Sequence, residues 1–134
     1  MKFDSPLGKD GKKRKKVAIV GFAESIRHLA PYDDDTVEIW AMNQLYRHIP
    51  RGTRWWEMHT REDFLADQVP GTDYLAWLKK CPIPIYMVQK FADIPNSVEY
   101  PIEKMSQKYG DYFYSTISYM LALAIDEGFE EIQI

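Results

Sequence analysis

Short apolar blocks alternate with amphipathic stretches along most of the chain. Val17–Val20 is a β-branched run of the length expected for a strand buried on both faces, and Val37–Met42 repeats the pattern. Between them, Glu24–Ala30 carries Ile26 and Leu29 at helical spacing and stops at Pro31. Residues 33–36, "DDDT", read as a polar turn, and 43–49, "NQLYRHI", as a short helical turn ended by Pro50. A third strand is expected over Thr53–Met58, ending at His59. Alternation within it sends Trp55 and Glu57 to one face and Trp56 and Met58 to the other, so one face must accommodate a carboxylate.

Residues 61–68 and 71–81 read as helices, the second with Thr72 or Asp73 as its N-cap. "PIPIYMV", 82–88, is a fourth strand. Pro84 lacks an N–H, which puts it at an edge or puts the strand start just after it. Residues 89–100 read as loop. Pro101 opens a helix to Tyr109, closed by Gly110. Ser115–Glu127 is the strongest helical pattern, with Ile117, Met120, Leu121, Ala124 and Ile125 on one face and Gly128 as C-cap. "EEIQI" opens a fifth strand. Strands alternating with helices in this way predict an α/β fold: a Rossmann-like three-layer α/β/α domain with a mostly parallel sheet of about five strands. That single domain spans 17–134. The chain stops as its last strand does, which implies either a truncated piece of a longer protein or a sheet completed without a further loop.

Charge changes the picture at the N-terminus. Residues 1–16 hold seven basic and two acidic side chains, a net +5, so a chain of −3 overall leaves −8 on the rest. An acidic body disfavours nucleic acid, whose affinity comes largely from phosphate neutralisation. The basic run at 12–16 remains the one segment suited to nucleic acid or a membrane surface, and its plainest reading is a solvated, disordered arm. Nothing approaches the ~18 consecutive apolar residues of a membrane span, and no apolar segment follows the basic residues as a secretory signal requires. The lone Cys81 forms no internal disulfide and fits a reducing cytoplasm.

In a parallel sheet the ligand-facing residues lie just after the strands. That rule collects Gly21 and Ser25, Asn43 and Gln44, His59 and Thr60, and Ser115 with Thr116 at the start of the long helix. Gly21 lets backbone approach a ligand closely. Ser25 and the Ser115–Thr116 pair lie near helix N-termini, which favour anions. Asn43 offers both a donor and an acceptor to a base or ribose. Each also has a plain structural use as a turn, a cap or a strand end. There is no G-x-G-x-x-G after the first strand and no Walker lysine, which disfavours a dinucleotide site and excludes a P-loop. The histidines and Cys81 show no zinc-ligand spacing, so no metal is expected.

"VAIVGFAES", "WAMNQLY" and "YSTISYMLALAIDEGFEEIQI" occur in the order seen in bacterial lipooligosaccharide sialyltransferases that use CMP-sialic acid, and the chain resembles that family. It is similar in layout to hydroxymethylpterin pyrophosphokinase-like domains, and more closely to uncharacterised proteins encoded by bacteriophages. The resemblance implies a Rossmann-like fold whose strand ends cradle a nucleotide. Gly21 and Ser25 match the first motif, Asn43 the asparagine on the nucleotide, Ser115 and Thr116 the hydroxyl pair, and His59 and Thr60, more loosely, a further ligand loop. Phe22, Ala23 and Glu24 replace small or amide-bearing residues, Ile117 replaces a glycine, and the family's Gly-x-Asp loop would lie past Ile134. Glu24 is expected to repel phosphate. The implied function is nucleotide or nucleotide-sugar binding, with glycosyltransferase-like transfer from a cytidine donor. The alternatives are a non-catalytic phage protein in the host cytoplasm that sequesters a nucleotide or docks on a host factor, and an interaction domain built on the aromatics.

Overall fold

A computed structural model describes residues 1–134. Six parallel strands form the sheet: β2 (Lys16–Ile19), β3 (Val37–Met42), β5 (Arg54–Glu57), β6 (Ile85–Met87), β7 (Ser97–Glu99) and β8 (Glu131–Gln133). Their spatial order is β7-β6-β5-β3-β2-β8. A separate two-stranded piece pairs β1 (Lys2–Phe3) with β4 (Arg51–Gly52), also in parallel. The α/β class and the parallel sheet are as the alternating pattern predicts.

Helices cover both faces because the strands are apolar on both. In register, Trp55 lies beside Ile85, and Glu57 beside Met87. This face receives α2 (Arg61–Ala66) and α3 (Tyr74–Lys80), which bury Phe64, Tyr74 and Leu78. Trp40, Trp56 and Tyr86 stack in a row on the opposite face, and Phe129 meets Trp40 edge-on. That face is covered by α5 (Thr116–Asp126), braced by α4 (Ile102–Tyr109) through Lys104 and Lys108 on Asp126. Pro101 precedes α4, and Gly110 at φ 84° and Gly128 at φ 78° end the last two helices.

Beneath the aromatic row lies a buried charge network. Glu38 is completely buried. Its carboxylate accepts two hydrogen bonds from the Arg54 guanidinium at 3.0 Å each, one from the Trp40 indole at 3.0 Å and one from the Thr53 hydroxyl at 2.9 Å. Arg54 reaches on to Glu127 at 2.6 Å. Burial opposes the Arg54 charge, but the bond to Glu127 and the field of Glu38 more than offset it and raise its pKa. The starts of β3 and β5 are thereby tied to the end of α5.

Several elements differ from expectation. The first sixteen residues are ordered rather than a free arm. Arg14 is buried and donates to the carbonyls of Asp35 (2.7 Å) and Pro6 (3.0 Å), while Asp4 pairs with Arg51 at 3.2 Å and Arg14 at 3.6 Å. Lys13 and Lys16 meet Glu127 and Glu131. The basic run therefore neutralises the acidic body of its own domain. The expected loop 89–100 ends in β7, which pairs with β6 although its residues Ser97-Val98-Glu99 carry little apolar signal. Of the two alternatives for Pro84 the second holds: β6 starts just after it, at Ile85, and the strand is internal rather than an edge. The first helix, α1, is only Glu24–Arg27 and buries nothing. In α5 the deepest positions are Met120, Ala122, Leu123 and Ala124, whereas Ile125 is exposed, because the helix turns its 120/123/124 stripe to the sheet.

Replacing Arg54 by Leu strands a fully buried carboxylate. Urea unfolding is expected to show a loss of about 3–5 kcal/mol, while the double replacement Glu38→Met/Arg54→Leu loses much less. A single-mutant loss below about 1 kcal/mol would mean the network is not the clamp described.

Candidate functional site

The chain steps outward from β2 through β3, β5 and β6 to β7, then returns by α4 and α5 to lay β8 on the other side of β2. The direction of winding reverses between β2 and β8, and ligands of open α/β sheets bind outside the carboxyl ends of strands at such a reversal. A cleft of about 470 Å³ opens there, lined mainly by apolar residues, among them Gly21, Phe22, Ala23, Ile26, Ile117 and Ile134. Gly21 matters sterically: a Cβ on it would stand 3.3 Å from Ile117 Cδ1. The first turn of α5 therefore seats against the end of β2.

A second, polar cavity of about 220 Å³ lies beside it and shares the wall formed by Phe22. Its other lining includes Asn43, Gln44, Arg47, His48, Glu57 and His59. Asn43 follows β3 directly and is the only non-glycine residue with positive φ, at 50°. Asparagine tolerates that left-handed conformation better than most residues. The turn is locked from below, because the Trp55 indole donates to the Asn43 carbonyl at 2.8 Å. The side-chain Oδ1 of Asn43 is buried and has no hydrogen-bond partner. An unmet buried acceptor of this kind costs about 1–3 kcal/mol, and Asn43 is among the residues that line the polar cavity. After this turn a 3-10 helix, Asn43–Arg47, brings Arg47 and His48 to the rim, where neither is held in an ion pair. Asp67 stands on the same rim.

Glu57 closes the floor. It is 1 % exposed at the end of β5. One carboxylate oxygen accepts from the Tyr74 hydroxyl at 2.9 Å. The other accepts from the His59 backbone N–H at 3.2 Å and lies 2.8 Å from His59 Nδ1. Burial, and then the Glu57 charge, push the Tyr74 hydroxyl well above its ordinary pKa, so it stays a donor. The His59 side chain is half exposed.

The residues singled out in the sequence divide into groups. Asn43 and His59 meet in the polar cavity. Gln44 lines it too, but its amide is consumed: Nε2 donates to the Asp67 carbonyl at 2.8 Å and Oε1 accepts from Val69 N–H at 3.0 Å, pinning the loop between α2 and α3. Gly21 lines the apolar cleft. Ser115 caps α5, where its N–H donates to Ser118 Oγ at 3.4 Å, and neither it nor Thr116 lines either cavity. Thr60 caps α2 by accepting from Asp63 N–H at 3.2 Å. Ser25 is exposed on α1 and lines neither cavity. Glu24 lines neither cavity and lies 3.9 Å from Arg27. Cys81 is buried, and burial pushes its thiol up to about 11 against an opposing backbone hydrogen bond at Ile83.

Phe22, Arg47, His48 and Glu57 are the lining residues that site-by-position reasoning passed over. Glu57 alone left a signal, a carboxylate in the middle of an apolar strand. The domain is thus a Rossmann-like α/β fold with two adjoining cavities at its carboxyl edge. No family model matches the chain, and neither a curated protein nor a solved structure is similar to it.

Asn43→Gly keeps the left-handed turn and removes the unmet acceptor, so thermal or urea unfolding is expected to show equal or higher stability, by up to about 1 kcal/mol. Asn43→Val, which resists that conformation, is expected to lose about 1–3 kcal/mol. A clear loss in the glycine variant would show that the Asn43 side chain supports the fold rather than waiting for a ligand.

Proposed function

We propose that this chain is a nucleotide-binding domain and that its ligand spans the two cavities. The observation that carries this reading is the buried, unpartnered Oδ1 of Asn43 at a strained turn. A carbonyl oxygen calls for a donor, and a ribose hydroxyl or the exocyclic amine of cytosine supplies one. The Phe22 ring, 46 % exposed on the wall common to both cavities, offers a stacking face to the base. Arg47 and His48 at the rim suit the phosphate. On this reading the domain serves transfer from a nucleotide-activated donor of the cytidine class, the chemistry of the sialyltransferases whose motifs it resembles. It works in a reducing cytoplasm, where the buried Cys81 stays a thiol.

A second reading rests on a different observation. Ile26, Leu29 and Ile134 leave the apolar cleft 55 %, 70 % and 67 % exposed at those side chains, which suits a non-catalytic, phage-encoded protein that docks on a host factor.

Calorimetric titration with CMP and CDP separates the two. Saturable binding below millimolar concentration is expected, and Asn43→Ala weakens it by about 1–3 kcal/mol. No binding at millimolar nucleotide leaves only the docking reading.

A further inference from the structure

We propose that His59 is a general base oriented by Glu57, so that the polar cavity is a catalytic site and not only a binding site. The inference rests on the nucleotide reading for its substrate and on the structure for its geometry. A carboxylate can only accept hydrogen bonds, so the 2.8 Å contact to Glu57 places a proton on His59 Nδ1. The neutral ring then carries its free lone pair on Nε2. Glu57 is itself fixed: the Tyr74 hydroxyl takes its other oxygen, and the His59 N–H donates to the same oxygen that holds the ring. Nearly complete burial of the carboxylate against a half-exposed imidazole is the arrangement in which a buried acid sets the tautomer of an accessible base. Tyr74 is completely buried and stacks beside Tyr46 and Trp77, so the acid has no freedom to swing away.

The groups facing His59 across the cavity complete the chemistry. Asn43 and Phe22 hold the nucleoside, and Arg47 and His48 meet the phosphate, with Asp67 also on the lining. The step is a displacement by a hydroxyl, of water or of an acceptor alcohol. Its O–H bond breaks and the proton goes to His59 Nε2. The oxygen forms a bond to the donor's electrophilic centre, the bond from that centre to the nucleotide phosphate breaks, and the phosphate leaves with the electron pair, its charge met by Arg47 and His48. No oxidant, reductant or metal enters the balance. Glu57 is a positioning residue in this step, because it acts through the imidazole.

Glu57→Leu tests that role: it removes the acceptor that holds the Nδ1 proton, and a neutral ring released to solvent prefers the Nε2-protonated form. Nitrogen-15 NMR on the free protein is expected to show the neutral His59 ring protonated at Nδ1, and at Nε2 in Glu57→Leu with the fold retained. An Nε2-protonated ring in the unmodified protein overturns the inference whatever binds. Release of CMP from CMP-N-acetylneuraminic acid, followed by chromatography, is expected to fall at least ~100-fold in His59→Gln and in Glu57→Leu, a far larger loss than either variant shows in CMP affinity. CMP binding without turnover, or turnover indifferent to His59, overturns the general-base role while leaving the nucleotide reading intact. If no nucleotide binds, both fall together.

Discussion

The carboxylate of Glu57 is the constraint on which the rest of the site depends. It sits at the carboxyl end of the central strand β5, in a position the strand's alternation turns toward the α2–α3 layer. A charge buried there persists only if its lone pairs are met. Tyr74 meets them from the helical layer and His59 from the loop that leaves the strand. The same ion thus fastens α3 to the sheet, bends the chain at His59 and aims an imidazole into the cavity. An apolar side chain there would leave the buried Tyr74 hydroxyl and the His59 N–H without their acceptor.

Its counterpart on the other face does structural work alone. Glu38, Arg54 and Glu127 close a buried chain of charges under the Trp40–Trp56–Tyr86 row, at the end of the sheet away from the cavities. With that end clamped, the carboxyl edge is left to be shaped by short elements. Gly21 lets α5 approach the end of β2, Trp55 holds the Asn43 turn from beneath, and Gln44 holds the loop before α3. Rigid supports under exposed turns are what a binding edge needs, since ligand contacts made from strand ends inherit the order of the sheet.

Much of this was legible in the chain. Blocks such as Val37–Met42 declare buried parallel strands, and the long helix with Gly128 after it is unambiguous. What escaped was decided by tertiary pairing. The N-terminal segment reads as a solvated arm because its order comes from Arg14 and Asp4 meeting Asp35 and Arg51, contacts no local pattern encodes. β7 escaped because an edge strand of three residues, Ser-Val-Glu, needs no apolar alternation. Position after a strand leads to Asn43 and His59, which both line the polar cavity. It does not lead to Arg47 and His48, because the left-handed turn at Asn43 is what brings the following 3-10 helix to the rim. Thr60 caps α2 and Ser115 stands at the N-cap of α5, and neither they nor Thr116 line either cavity.

Two kinds of surface therefore meet at one edge, an apolar cleft at the winding reversal and a polar cavity lined by Asn43, Arg47, His48 and the imidazole held by Glu57. Phe22 is the hinge between them. The most direct test of this placement is a titration of nitrogen-15-labelled protein with CMP, read residue by residue. Saturable shifts centred on Phe22, Asn43, His48 and His59, with the Asn43 side-chain amide among the largest, are the result expected. Shifts that do not saturate, or that cluster away from these residues, would contradict it.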